Sequence, residues 1–351
     1  MPSSAVTLWP ATGDPTPPHV VDLVATAAAG TPGPVEQGLE LAPRIAELCP
    51  TPGEGATAVL WEVLASLGAA DLQLARAVEP HLDARNILVE AAGAGHDVPG
   101  PGGSRWGVFA AEGPGVRLEA SAHDGGWRLS GTKPWCSLAG RLDRALVTAW
   151  VDEERRGLFA VDLHAPGVRV DGDDAWCARG LPEVVSLPVA LDDVPAQPVG
   201  PPGWYLTRDG FAWGGIGVAA VWYGGAVGLA RRVAAPRRRP RDQLSHLHLG
   251  EIDRHLAAGA AVLASAAGDV DAGRASGAAG AVLALRVRAV VADTCEAVLA
   301  AAEHELGPGP QVSEPEYAAR LADLRLYLRQ HHAERDLAAL GRELEEGRAP
   351  W

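Results

Sequence analysis

Along this chain the spacing of apolar residues changes twice, and no single layer of secondary structure accommodates both spacings. Up to about residue 95, Leu, Val, Ile and Ala recur every three or four positions, as in PHVVDLVATAAAG, VEQGLELAPRIAELC and the stretch from Glu54 to Glu90. That is the period of a helix with one buried face. Gly and Pro clusters at 30–34 and 50–55 separate these helices, and HDVPGPGGSR at 96–105 ends them. From Trp106 to about Val199 the period drops to two. WGVFAAE, VRLEASA, WRLSGTK, RALVTAWV, GLFAVDL, VRVDG and VVSLPVAL read as short strands punctuated by DGG, APG and DDVPA. Such a series predicts a small antiparallel barrel or sandwich. After Gly203 the helical period returns over 209–232, 242–268, 277–305 and 315–346, long enough for a four-helix bundle, with GPGPQVSEPE at 307–316 as its last turn. The expectation is an α+β chain of three parts: an N-terminal helical domain over 1–103, a β domain over 104–203 and a C-terminal bundle over 204–351.

Charge and cysteine usage exclude several function classes. A formal net charge of −14 argues against a general nucleic-acid surface, which needs a positive field. Arg237, Arg238, Arg239 and Arg241 form a local exception, either for phosphate groups or as a solvated loop. No apolar run reaches the roughly 18 residues that cross a bilayer, and MPSSAVTLWPATGD lacks the features of a signal peptide. Cys49, Cys136, Cys177 and Cys295 show no paired spacing, so neither a disulfide framework nor a metal site is expected. These readings together predict a soluble cytoplasmic protein.

One stretch carries chemistry. GGWRLSGTKPWCSLAG, residues 125–140, holds Lys133, the single lysine among 30 Lys and Arg residues, beside Trp135, Cys136 and Ser137. Read with the helix–strand–helix order, Gly126-Trp127-Arg128-Leu129-Ser130-Gly131-Thr132-Lys133 followed by Trp135 and Ser137 resembles the acyl-CoA dehydrogenase family. DRALVTAWV, GLFAVDL, PGVRV and LDDVPA continue the resemblance. It implies a flavoprotein oxidoreductase with FAD as cofactor, Trp135 covering the flavin ring and Ser137 at its edge. An aromatic face beside a hydroxyl suits a flat apolar ring with a hydrogen-bonding rim. Lys133 then covers the strand end with its stem and keeps its head in water. From the residue alone, without the flanking stretch, Trp135 reads as a core residue at a strand end.

The resemblance also implies that Arg232 and, eleven positions on, Gln243 contact the pyrophosphate and adenosine end of FAD. Gly307-Pro308-Gly309 becomes a turn whose backbone meets the adenosine half of a neighbouring subunit, so a homodimer or homotetramer is expected. A solvated helix-end charge and a plain helix–helix turn are the alternatives. Ala235 stands where the family usually has an aromatic.

Three departures bear on chemistry. In AAEGPGVRL, residues 110–118, Glu112, Pro114 and Gly115 remain of the family's substrate-contacting loop, Ala111 replaces its Thr, and the Gly-Ser-Asp end is missing. The base that removes a proton from an acyl thioester is a Glu eight residues after the Asp of an Arg-Asp pair; with that Asp at Asp323, the position holds His331. The second base position, after the aromatic Trp213, holds Gly214. Neither is a carboxylate. His331 then serves as the base, or lies with His332 on a solvated helix face, while Glu334 matches no catalytic position. The helical part before the barrel is also shorter than the family's. The expected function is an oxidoreductase acting on an acyl thioester or related small molecule, with a possible electron-transfer partner. A non-catalytic subunit of a heteromeric dehydrogenase and a flavin monooxygenase are the alternatives.

Overall fold

A computed structural model describes residues 5–8, 33–100, 102–123, 125–170, 175–236 and 240–345. The helical reading of PHVVDLVATAAAG and the run Arg237–Arg239 lie outside them. Among the described residues the first helices are α1 (Pro34–Leu48), α2 (Thr57–Ala70) and α3 (Leu72–Gly93). The stretch read from Glu54 to Glu90 divides at Asp71, whose carboxylate accepts hydrogen bonds from Gln73 N and Leu74 N at 2.7 and 3.0 Å and so starts α3. The beginning of α2 is capped from far along the chain: Asp271 accepts from Thr57 N at 3.0 Å and from its hydroxyl. An extended segment at 5–8 lies on α2, with Val6 N donating to Ser66 Oγ and Leu8 N to Glu62 Oε1, both at 2.9 Å.

The seven period-two runs form seven strands, β1 (Trp106–Phe109), β2 (Leu118–His123), β3 (Gly126–Ser137), β4 (Arg144–Trp150), β5 (Arg156–Asp162), β6 (Val168–Val170) and β7 (Ser186–Pro198). Pairing runs β4–β2–β3–β7–β5 and closes from β5 to β4, with β1 beside β4 and β6 beside β7. This is a small barrel, but not a purely antiparallel one. Strands β1 and β2 both pair with β4 in parallel, and the rest are antiparallel. The hydrophobic period reports burial on one face and carries no strand direction, which explains the difference.

The chain then returns to helix through α4 (Trp204–Thr207), α5 (Asp209–Ala234), α6 (Gln243–Asp271), α7 (Gly277–Leu306), α8 (Pro308–Ser313), α9 (Pro315–Tyr327) and α10 (Glu334–Glu343). The single last helix expected over 315–346 is broken. A 3-10 turn at Leu328–Gln330 leads into extended His331 and left-handed Ala333, φ 46°. Helix α5 is the centre of the helical layer, packed on α2 and α7. Its contact with α2 is backbone against backbone: a Cβ on Gly224 would stand 2.0 Å from Ala65 O, and one on Gly68 2.3 Å from Val221 O. Helix α5 also corrects the expectation about membrane length. Its 26 residues include an 18-residue window of mean hydropathy 1.3, 67% buried as a core helix is. One apolar cluster runs from these helices into the barrel, joining Trp61 and Trp222 to Leu129 and Val147.

Candidate functional site

The resemblance stretch lies on β3, and two irregularities shape it. At Gly131, φ 122°, the strand shifts register and passes so close to Arg117 that a Cβ would stand 2.2 Å from its carbonyl oxygen. Between Lys133 and Cys136 the strand bulges again, and Trp135 takes φ 59°. Left-handed backbone is costly for a bulky residue. It turns the indole out of the sheet, leaving it 59% exposed, so Trp135 is not a core residue.

Lys133 is corrected in the opposite sense. Its head is not wet: the side chain is 1% exposed, and Nζ donates to Glu112 Oε1 at 2.7 Å and Thr148 Oγ1 at 2.8 Å. Burial draws its pKa below the usual lysine range, and the Glu112 bond opposes that. Glu112 also accepts from Arg156 at 3.1 Å and from the Trp150 indole at 3.2 Å. The buried ammonium thereby ties the 110–118 loop to the strand carrying Trp135. A Cβ on Gly113 would stand 3.1 Å from Pro134 Cγ, so the loop lies directly against the bulge. Cys136 is buried, and desolvation pushes its thiol up to about 12, which leaves it inert.

Ser137 closes the strand. Its hydroxyl lies 2.7 Å from Ser186 Oγ and accepts from Arg76 Nη2 at 3.2 Å. Arg76, on α3, pairs with Glu79 at 2.8 Å and lies over the Tyr327 ring at 5.1 Å. Glu79 faces a cavity of about 270 Å3 between α2, α3 and α5. The contacts Ser137–Arg76–Glu79 therefore join the Trp135 end of the barrel to this cavity.

Two stripes build that cavity. On α3, Glu79, Asp83, Asn86 and Glu90 recur at intervals of four, three and four and share one face. On α5, Gly210, Gly214 and Gly217 recur at four and three and face them. A Cβ at Gly214 would stand 3.2 Å from Asp83 Oδ1, and one at Gly210 would stand 2.3 Å from Glu90 Oε2. The glycines thus leave room for the carboxylates. Trp61, Leu64, Leu82 and Trp213 supply apolar walls. Glu90 is neutralised by Arg208 at 2.6 Å. No hydrogen bond or ion pair among the described residues holds Asp83. Burial pushes Glu79 up to about 7, against the pull of Arg76, and raises Asp83 as well.

The other residues singled out from the sequence lie elsewhere. His331 is 9% exposed, so it is not on a solvated face. It meets Trp222 edge-on at 6.3 Å and approaches Asp336 at 3.8 Å, and it is not among the residues lining the cavity. Burial lowers its pKa. His332 is exposed beside Asp336, and no metal-binding cluster occurs among the described residues. Gly214 lies in the cavity wall. Arg232 is engaged by Glu314 in a two-pronged pair at 2.6 and 2.7 Å. Gln243 opens α6 on the exposed surface. Gly307 uses its freedom at φ 65°, whereas Gly309 is helical with open space around it within the chain. Missing from the sequence reading were Arg76, Glu79, Asp83 and Arg208; the four-three-four spacing on α3 was the available signal.

No family model and no curated protein matches the chain. Solved structures do. The nitrososynthase from Micromonospora carbonacea var. africana is 20% identical, with 96% of this chain and 98% of that one covered at TM-score 0.76. KijD3, in complex with FMN and dTDP-3-amino-2,3,6-trideoxy-4-keto-3-methyl-D-glucose, is 18% identical over 94% and 91% at 0.75. Butyryl-CoA dehydrogenase from Megasphaera elsdenii is 18% identical over 93% and 97% at 0.75. At these identities the likeness establishes the fold, that of the acyl-CoA dehydrogenases.

Proposed function

We propose that this chain, which has the acyl-CoA dehydrogenase fold, is a flavin-dependent oxidoreductase acting on a small molecule held in the α3–α5 cavity. The observation that carries the reading is Trp135. A large aromatic is held in strained backbone and turned outward beside Ser137, where contacts through Arg76 and Glu79 lead to the cavity. Strain that buries nothing calls for a ligand. The donor set fits a flavin: an indole face for the ring, and a hydroxyl and a guanidinium near its edge. When bound, the flavin supplies the two-electron acceptor for oxidation and, once reduced, a reaction partner for dioxygen. Trp135 holds the ring face, Ser137 and Arg76 orient its rim, and the Lys133–Glu112 pair fixes the loop beside it.

The cavity lining sets carboxylates beside apolar tryptophan walls, which suits a small molecule with a polar group on a compact apolar body better than a fatty acyl chain. Its glycine wall brings no carboxylate at Gly214, and His331 packs on Trp222 instead. Dehydrogenation of acyl thioesters is therefore expected to be weak, since loss of a positioned base costs about 10²–10⁴-fold. KijD3 and TdsC from Paenibacillus sp. A11-2 are described with FMN, and the bidentate Arg232–Glu314 pair leaves little free charge for the pyrophosphate of FAD. The test is titration of the purified protein with FMN and with FAD, followed by absorbance near 450 nm. Saturable binding of either, weakened in Trp135→Ala, supports the reading. Absence of binding by both overturns it.

A further inference from the structure

We propose that the α3–α5 cavity binds its substrate through a protonated amine, with the Asp83 carboxylate as counter-ion above Gly214. This rests on the reading of the cavity as the substrate site. The charges on its walls do not cancel internally. Glu79 is paired with Arg76 and Glu90 with Arg208, at 2.8 and 2.6 Å, but no hydrogen bond or ion pair among the described residues meets Asp83. Arg208 acts on Asp83 only through its charge and is itself bound to Glu90, so a carboxylate facing the cavity with no direct partner is stabilised further by a cation brought in from outside.

A second observation concerns Arg208. Its side chain is 3% exposed and lines the same cavity, yet its Nε finds no hydrogen-bond acceptor. An unmet buried donor near a half-buried carboxylate that no hydrogen bond holds fits a ligand carrying both functions, an amine and a nearby oxygen. The space for the amine exists because of Gly214: Asp83 Oδ1 lies 3.2 Å from where its Cβ would be. Trp61 and Trp213 on the walls favour an apolar or ring-shaped body, and a cation among aromatic faces is further stabilised. A carboxylate-bearing or thioester-tailed ligand would instead set its own negative or apolar groups against Asp83 and Glu79.

The test uses calorimetric titration of the full chain, without added flavin, against benzylamine, benzyl alcohol and benzoate. The expected order is benzylamine tightest, the alcohol at least about tenfold weaker and benzoate weakest. Asp83→Asn should cost the amine about tenfold and leave the alcohol unchanged, whereas Asp83→Glu should keep part of the preference. Equal or tighter binding of the alcohol or benzoate overturns the proposal, as does no detectable binding of benzylamine or a preference that survives in Asp83→Asn. If Asp83→Asn fails to fold by circular dichroism, the wild-type order decides alone. Flavin titration of the same preparation separates the two readings. Flavin binding without amine preference sinks only this inference, and amine preference without flavin binding sinks only the oxidoreductase.

Discussion

A tryptophan at φ 59° and 59% exposed is held against both its backbone preference and its hydrophobicity. For an L-residue the left-handed conformation costs roughly 1–2 kcal/mol, a cost glycine does not bear. Trp135→Gly is therefore expected to leave the melting temperature unchanged or higher, while flavin affinity falls about tenfold through loss of stacking. A melting temperature several degrees lower with flavin affinity intact would show that Trp135 is structural. Arg232 gives a second prediction. Freed from Glu314, its guanidinium becomes available to a pyrophosphate, so Glu314→Gln should raise FAD affinity about threefold or more and leave FMN unchanged; equal changes for both flavins would refute it. The motif around Lys133 was legible in sequence because it is contiguous. The burial of the Lys133 ammonium was not, because Glu112 and Thr148 reach it from other parts of the barrel.

Elements were read well where their signal is local. Seven alternating runs gave seven strands, and the long Ala-rich segments gave helices. The last helix was misread because its break, at His331 and Ala333, carries no Gly or Pro and is set by packing on Trp222 and by Asp336. The cavity shows the same limit: an acidic stripe on α3 acquires meaning only against a glycine stripe on α5, more than a hundred residues later. The α2–α5 contact is the element whose failure is most predictable. Gly224→Ala places a methyl group 2.0 Å from Ala65 O, a backbone atom that cannot yield without moving a helix. The expected loss is about 3 kcal/mol or more in chemical denaturation, and a loss below 1 kcal/mol would show that these helices do not meet there.

Across the whole molecule, buried carboxylates make stability depend on pH. Glu79 is pushed up to about 7 and Asp323 to about 6, both by burial. The folded state then holds protons that the unfolded chain has released, so the contribution of these groups is full below about pH 4 and is lost as pH rises towards 7. Glu79→Gln should remove part of that slope, so its melting temperature relative to wild type should rise between pH 4.5 and 7; a constant difference across that range would contradict the assignment. The proposed activity depends on where a flavin sits. A crystal structure of the protein grown with FMN tests this most directly. The ring is predicted to lie against the Trp135 indole, with its edge towards Ser137 and Arg76 and one face open to the α3–α5 cavity. A flavin bound elsewhere, or a ring separated from that cavity by intact protein, would contradict it.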